Sequence, residues 1–419
     1  MPEVNMTEYL ATTLEEVEKV ITQTFEQEAS TLAEVQKLPH VPTNQKGRVF
    51  PLMTSPNPDI KYRDESGAYA SGGTHKAKQM RVFYARIGIT RRISGDVLDL
   101  GDRGTLINAF TDGMDMDITT LMKDINQEVW SDGTGLKAVV TSVSTVTITC
   151  ALPLGVLRIL ENGKYQFYDP ATGAARSATV FTVIEGGVNR TSRTITLSAS
   201  AAGLGITAGD HIAWEDSYLK TITGMEKLVA DDTGDFQGVS RALVPSLRSP
   251  NVDASNRRLT LSLIDQQELQ IVFRAGKMKT GNKQAYRVNP TQLQAYRDLG
   301  RNYQEYASGT KFDGGNGGIE NQTANGRKIE IDVDIKYSDW WLLDMSKFRW
   351  CELRPLGIVD RDGHKLRMVP GYSSAGAGSF LDSNVYMIDM KGDLALLEPR
   401  YCSRMLNLDT TGLTSPHFN

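Results

Sequence analysis

One stretch limits the fold more than any other: GTLINAFTDGMDMDITTLMKDINQEVW, residues 104–130. Leu106, Phe110, Met114, Ile118, Leu121, Ile125 and Val129 recur at three- and four-residue steps, the spacing that lines apolar side chains along one face of an α-helix. At 1.5 Å per residue, about 27 residues make a rod of roughly 40 Å. Its other face is polar, so the rod must lie on a sheet that the rest of the chain supplies. Gly113 is the position in the run that argues against unbroken helix. Asp112, Asp115 and Asp117 suggest a calcium loop only at first sight, because the alternating acids, glycine and closing glutamate of such a loop are not in register.

The rod ends in WSDGTG, residues 130–135. Two glycines around a hydroxyl invite a phosphate-loop reading, and direction excludes it. A phosphate loop leads into a helix and offers free N–H groups, whereas this segment follows one, where carbonyls and the negative dipole end are exposed. The GK[ST] ending is also missing. Gly133 and Gly135 instead fit a C-terminal cap, where a residue without Cβ takes the left-handed conformation.

On either side of the rod the pattern changes. Residues 8–37 read as an acidic amphipathic helix, with Leu10, Leu14, Val17, Ile21, Phe25, Leu32 and Val35 on one face and Glu15, Glu16, Glu18, Glu26, Glu28 and Glu34 elsewhere. Such a helix needs a partner surface, in its own domain or another. GRVFPLMTS and KQMRVFYARIGITRRI read as two strands joined by a turn-rich segment, a hairpin-like excursion. Its bases are Lys61, Arg63, Lys76, Lys78, Arg81, Arg86, Arg91 and Arg92, against Asp59, Asp64 and Glu65. A two-stranded excursion is marginal alone, so it is expected to lie across something else, and an acidic neighbour would suit it. Residues 137–214 are short Val-, Thr- and Ile-rich strands separated by ENGK, DPATG and EGG turns, which reads as a compact β-barrel or sandwich inserted into a larger domain. Later, RRLTLSLIDQQELQIVFRAG reads as a helix and KQAYRVNP as a buried strand. Asn289 caps and Pro290 opens a second helix, SDWWLLD reads as an amphipathic strand, and the C-terminal part is rich in strands. The fold class expected is α+β.

A chain of 419 residues can bury a large core without metals or disulfides. Its formal charge of −4 lacks the basic excess of a dedicated nucleic-acid binder. Cys150, Cys351 and Cys402 are far apart and form no CxxC pair, so they read as reduced packing residues. His40, His75, His211, His364 and His417 are isolated, no GxSxG occurs, and GGNGG at 314–318 lacks the strand-to-helix setting of a dinucleotide loop. No apolar run approaches a membrane span, and MPEVNMTEYL is not a signal sequence. A soluble, cytoplasmically made protein without catalytic residues, metal or cofactor is expected.

The order of the acidic arm, the basic excursion, the long helix ending in DGTG, ITGMEKLVADDTGDFQGVSRA, VNPTQLQAYRDL and a β-rich C-terminus resembles the tailed-bacteriophage major capsid proteins of the Hong Kong 97 type. The resemblance implies an N-terminal arm at 1–45, an extended loop at 46–93, a peripheral domain with the spine helix at 94–135 and its return at 221–255, an axial domain at 256–345 and C-terminal strands of both domains at 346–419. Residues 136–220 would be an insertion domain of the kind some members carry. The function implied is a structural subunit forming hexamers and pentamers of a phage head around double-stranded DNA, with no enzymatic activity. Glu15, Glu16, Glu18, Lys61, Arg63, Lys76, Lys78, Arg81 and Arg86 would lie at subunit interfaces. The implied partners are a separate scaffolding protein, portal and decoration proteins, and DNA touched weakly at the inner wall, with no membrane. Some members crosslink a loop lysine to a neighbour's asparagine, for which Lys61, Lys76 and Lys78 stand in the right segment, although solvated or salt-bridged lysines are the ordinary reading. Deleting residues 1–40, or reversing the charges of Lys76, Lys78 and Arg81, is expected to impair assembly while the monomer still folds. The alternative of a different class is a β-rich tail or surface-adhesion subunit whose insert binds a receptor or glycan.

Overall fold

The structure, a computed structural model, describes residues 30–38, 47–55, 62–63, 65, 76–94, 103–276, 284–306, 322–359, 367–370 and 380–414. The long helix spans Arg103–Val129 and runs through Gly113 without a break. Ile118, Leu121, Ile125 and Val129 are buried, as the periodicity requires, together with Met122. The side chains of Leu106, Phe110 and Met114 lie outside the described set. Gly113 lies under the end of a flexible side chain from a neighbouring strand. Arg91 crosses the helix there, its Nη1 donating to the Gly113 carbonyl at 2.8 Å and lying 3.3 Å from Asp117. A Cβ on Gly113 would sit 2.6 Å from that nitrogen.

The helix lies on a five-stranded sheet ordered Gln36–Leu38, Phe348–Ile358, Phe380–Leu396 and Arg367–Pro370, with Ala85–Ser94 also paired to Phe380–Leu396. The first strand joins in parallel and the others are antiparallel. Trp350, Ile388, Met390, Leu394 and Leu396 on this sheet meet the helix residues in one core. A second sheet has six strands in the order Val252–Asp253, Ser403–Leu406, Trp340–Asp344, Gln284–Val288, Arg327–Ile331 and Gln322–Ala324. Helices Leu261–Ala275 and Pro290–Tyr306 cover it, and Leu263, Ile264, Ile271, Leu293 and Tyr296 fill a second core against Tyr286, Val288 and Leu342. Asn289 caps the second of these helices, its Oδ1 accepting from the Thr291 N–H at 3.1 Å.

Trp340–Asp344 joins the two cores. Successive side chains on a strand point to opposite faces, so Trp340 and Leu342 enter the second core while Trp341 and Leu343 enter the first. All five residues are buried. The amphipathic reading of SDWWLLD therefore fails: both faces of the strand are covered, and the alternation separates two apolar surroundings instead of core from water.

Residues 138–214 form a closed six-stranded barrel ordered His211–Trp214, Ala138–Ser144, Thr147–Cys150, Thr194–Leu197, Phe181–Asn189 and Lys164–Tyr168. It has its own core of Val140, Ile148, Tyr165, Phe167, Phe181, Val183, Ile195 and Ile212. The EGG segment, read as a turn, lies within Phe181–Asn189, where the pairing register slips between Val183 and Val188. The entry to the barrel is fastened to the last turns of the long helix. Lys137, with none of its side chain exposed, reaches Asp124 at 2.6 Å and Glu128 at 2.7 Å, and Trp214 Nε1 donates to Asp124 at 2.8 Å. Burial alone would lower the Lys137 pKa, but the two carboxylates outweigh it and the net direction is upward. At the exit, Gly224 passes so close to the helix end that a Cβ would lie 2.0 Å from the Ser131 carbonyl oxygen. Gly133 and Gly135, at φ of 80° and 81°, release the helix in the left-handed conformation.

Two local expectations are corrected. Helix was expected through Lys37, yet the described helix is Ser30–Ala33 and Gln36–Leu38 is a strand. Pairing of those three residues with Arg349, Trp350 and Cys351 satisfies their backbone in a way that local periodicity does not reveal. The second strand of the excursion is two strands, Lys76–Phe83 and Ala85–Ser94, divided at Tyr84. The first belongs to the hairpin and the second to the five-stranded sheet.

Candidate subunit-interface surfaces

Gly47–Ser55 and Lys76–Phe83 pair antiparallel as the excursion's hairpin. Its base is docked on the body. Met80 and Val82 are 1% and 2% exposed, and Phe50 and Leu52 pack against the apolar clusters beneath. Gly47 rides so close over Val82 that a Cβ would stand 2.3 Å from its carbonyl oxygen. The Arg81 N–H donates to the Gln237 carbonyl at 2.7 Å, which ties the open edge of the hairpin to the Asp235–Phe236 and Val239–Ser240 turn. Farther out the support stops, and Lys76, Ala77, Lys78 and Gln79 are all exposed.

The expected interface residues thus fall into separate settings. Lys76, Lys78 and Arg81 are exposed, and none has an ion-pair partner among the described residues. Arg63 is exposed in the short described stretch between the two hairpin strands in sequence. Lys61, Glu15, Glu16 and Glu18 lie outside the described residues. Arg86 has a partner in its own sheet: its Nη2 lies 2.7 Å from Asp389, which is 3% exposed, and Arg354 reaches the other carboxylate oxygen at 3.0 Å. Gly88 permits this arrangement, because a Cβ there would lie 2.9 Å from the Asp389 Cβ. About half of the Arg86 side chain remains exposed.

The end of the N-terminal segment is held by Leu32 and Val35 of the expected apolar face and by Thr31, Arg287 and Asp332, which local sequence did not single out. Leu32 and Val35 are buried in the first core. The Thr31 hydroxyl donates to Asp332 at 2.9 Å and accepts from the buried Arg287 guanidinium at 2.9 Å. Arg287 also pairs with Glu34 and Glu330, while Trp130 Nε1 donates to the same Asp332 oxygen at 2.8 Å. One buried carboxylate thus joins the N-terminal segment and the end of the long helix to the second sheet. A deletion of residues 1–40 would remove Leu32, Val35 and an edge strand from the body, so it is expected to destabilise the monomer as well as to remove an interface.

Among the described residues no group of three or more His, Cys, Asp and Glu side chains could hold a metal ion. Burial pushes the thiols of Cys150, Cys351 and Cys402 up to about 12, which keeps them protonated and poorly nucleophilic. His211 is committed to the Tyr218 hydroxyl at 2.9 Å. No described helix is long and apolar enough to cross a membrane. What the geometry offers is surface: a partly supported basic hairpin, an N-terminal segment held to the body at Thr31–Val35, and a barrel fixed to a rod.

No protein-family model matches the sequence, and no curated protein matches it. Solved structures do. The structure is similar over 91% of its length to a chain of the cyanophage A-1(L) capsid asymmetric unit, of which 93% is covered, with 11% sequence identity and a TM-score of 0.53. Looser likenesses, at TM-scores of 0.45 and 0.44, are to the capsid of an empty GTA particle (8% identity; 90% of this chain and 89% of that one) and to Mycobacterium phage Patience (9%; 96% and 89%). The likeness to the cyanophage chain shows a shared architecture over most of both chains, and the chain has the α+β fold of the Hong Kong 97-type capsid proteins with a β-barrel inserted after the long helix.

Proposed function

We propose that the chain is a phage major capsid protein, a structural subunit that builds a closed shell of hexamers and pentamers around double-stranded DNA. The observation that carries this reading is coverage: the fold agrees with a capsid chain over nine-tenths of both molecules. The surfaces fit the work. A hairpin supported only at its base and an arm rooted in the body are elements that complete their burial on a neighbour, and many modest contacts repeated by symmetry make a stable particle. On this reading residues 1–45 are the arm, 46–93 the extended loop, 94–135 and 221–255 the peripheral domain, 256–345 the axial domain, 346–419 strands of both, and 136–220 an insertion domain. Near-neutral charge suits a wall that confines DNA without gripping it. A separate scaffolding protein, a portal and decoration proteins belong to the same reading. Negative-stain electron microscopy of the purified or co-expressed full chain tests it. Closed shells or capsomer rings are expected, and a stable monomer or a tubular assembly would refute it.

A further inference from the structure

We propose that the face of the five-stranded sheet turned away from the long helix carries a phosphate-binding row, Arg86, Lys391 and Arg354, which takes the backbone of the enclosed DNA duplex. This rests on the shell reading above and gives its DNA contact a place and a set of side chains. Arg86 then serves the duplex, not the subunit contact expected of it.

Register builds the row. Lys391 is the cross-strand partner of Arg86 on one side and of Arg354 on the other, and residues directly opposite on neighbouring strands share a face. Alternation says which face. Ile87 and Ile89 pack against the first core and Arg91 crosses to the long helix, so Arg86, Gly88 and Thr90 look the other way. Ile388 and Met390 enter the same core, which turns Asp389 and Lys391 outward with them. Arg354 stands between two register shifts, one after Glu352 and one before Gly357, and bulges of this kind re-aim a side chain. At a strand spacing of about 4.8 Å, the three cations span roughly 10 Å.

Like charges directly opposite one another destabilise a sheet, yet three cations stand here around one carboxylate. Asp389, 3% exposed, accepts from Arg86 Nε at 2.9 Å and Nη2 at 2.7 Å through one oxygen, and from Arg354 Nη1 at 3.0 Å through the other. The next outward carboxyl, Asp393, is taken by the Thr223 N–H and hydroxyl at 2.6 and 2.8 Å. Three cations against Asp389 leave a surplus of positive charge on this face. The Arg86 and Arg354 side chains are 49% and 39% exposed, so guanidiniums fixed from below keep N–H groups turned to water. Planar forks held in place suit phosphate oxygens. The rival occupant is a carboxylate-bearing protein surface. Protein interfaces centre on large apolar anchors, whereas Asp389 is flanked in register by Gly88 and Gly357, with Thr90 and the 41% exposed Met387 beyond. Polar, positive faces are the mark of DNA contacts, and a duplex with one charge per about 1.7 Å of axis presents several phosphates to such a row.

The test titrates the unassembled full chain into a short fluorescein-labelled DNA duplex, read by anisotropy between about 50 and 200 mM salt, with the thermal transition as a fold control. Three phosphates at about 0.9 each predict a wild-type slope of log affinity on log salt near −2.7. K391Q should flatten it by about one. R86Q/R354Q/D389N, which removes the buried carboxylate together with its partners, should flatten it by about two. K328Q, an exposed lysine on the other sheet, should match the wild type. K391Q leaves Asp389 both partners and decides alone if the triple variant loses its transition. No salt-dependent binding by the wild type, an unchanged slope in K391Q, or equal flattening in K328Q would overturn the assignment. An unchanged slope with fewer shells would give the face to a second copy instead, and overturns it too. Absence of shells from the wild type, read separately by negative stain, would sink the shell reading and leave the duplex result distinct.

Discussion

Lys137 is the sharpest place to perturb the molecule. Its ammonium is wholly buried between Asp124 and Glu128, at 2.6 and 2.7 Å, and Glu128 is itself only 3% exposed. Lys137→Met keeps the volume of the side chain and removes the charge. Two carboxylates then face each other at the end of the long helix without a cation. Breaking a buried pair by deleting one partner costs roughly 3–5 kcal/mol, because the remaining charge stays desolvated. Asp124 is 20% exposed and keeps the Trp214 indole N–H, so most of the penalty falls on Glu128. Removing that charge as well, in Lys137→Met/Glu128→Gln, should recover about half of the loss, since an amide avoids the cost of a buried anion. The assay is urea unfolding of unassembled protein, followed by circular dichroism and by indole fluorescence, which includes Trp214 at the seam. A double-mutant cycle isolates the coupling. The reasoning is refuted if Lys137→Met costs less than about 1 kcal/mol, the range of an exposed pair, or if the two substitutions are additive.

Three further outcomes are expected. Burial pushes the Asp393 carboxyl up to about 7 despite the Thr223 N–H and hydroxyl, the Leu394 N–H and Lys227, all of which pull it down. The folded state then holds a proton that the unfolded chain releases near its ordinary value of about 3.9, so stability should fall as pH rises from there to 7. Asp393→Asn should flatten that slope in urea midpoints taken across pH, and an unchanged slope would contradict it. Gly224→Ala places a methyl group 2.0 Å from one backbone oxygen and 2.8 Å from another; a loss of about 3 kcal/mol is expected from such overpacking, and a wild-type melting temperature would refute the fit. Two truncations, before residue 30 and before residue 39, test the root of the N-terminal segment. Removing residues 1–38 also takes Leu32 and Val35 from the core and should cost more than about 4 kcal/mol; equal stability of the two truncations would show that the clasped root contributes nothing.

What could be read from sequence was what is decided locally. The long helix announced itself because Ile118, Leu121, Ile125 and Val129 repeat at helical steps, and its stop because glycine follows where a left-handed residue is needed. The barrel was legible from dense turns between β-branched runs. What escaped depends on residues far apart in the chain. Nothing near Trp340 or Trp341 says that both faces of their strand are covered. Nothing near Arg287 foretells Thr31, 256 positions away, and Gln36–Leu38 became a strand because Arg349–Cys351 lay alongside it. The candidate interface was visible as charge, but sequence grouped Arg81 and Arg86 with Lys76 and Lys78. Strand facing and the Asp389 pairing separate them.

The strand Trp340–Asp344 has one more consequence, for fidelity. In a sheet with one wet face, a slip of one residue exchanges buried and exposed side chains and costs one core. Here the same slip would carry Trp340 toward the chamber built for Trp341 and Leu342 toward that of Leu343, so two apolar interiors would be misfilled together. Wrong pairings are penalised twice by a single error, and this strand, inside its sheet, serves as its own register check.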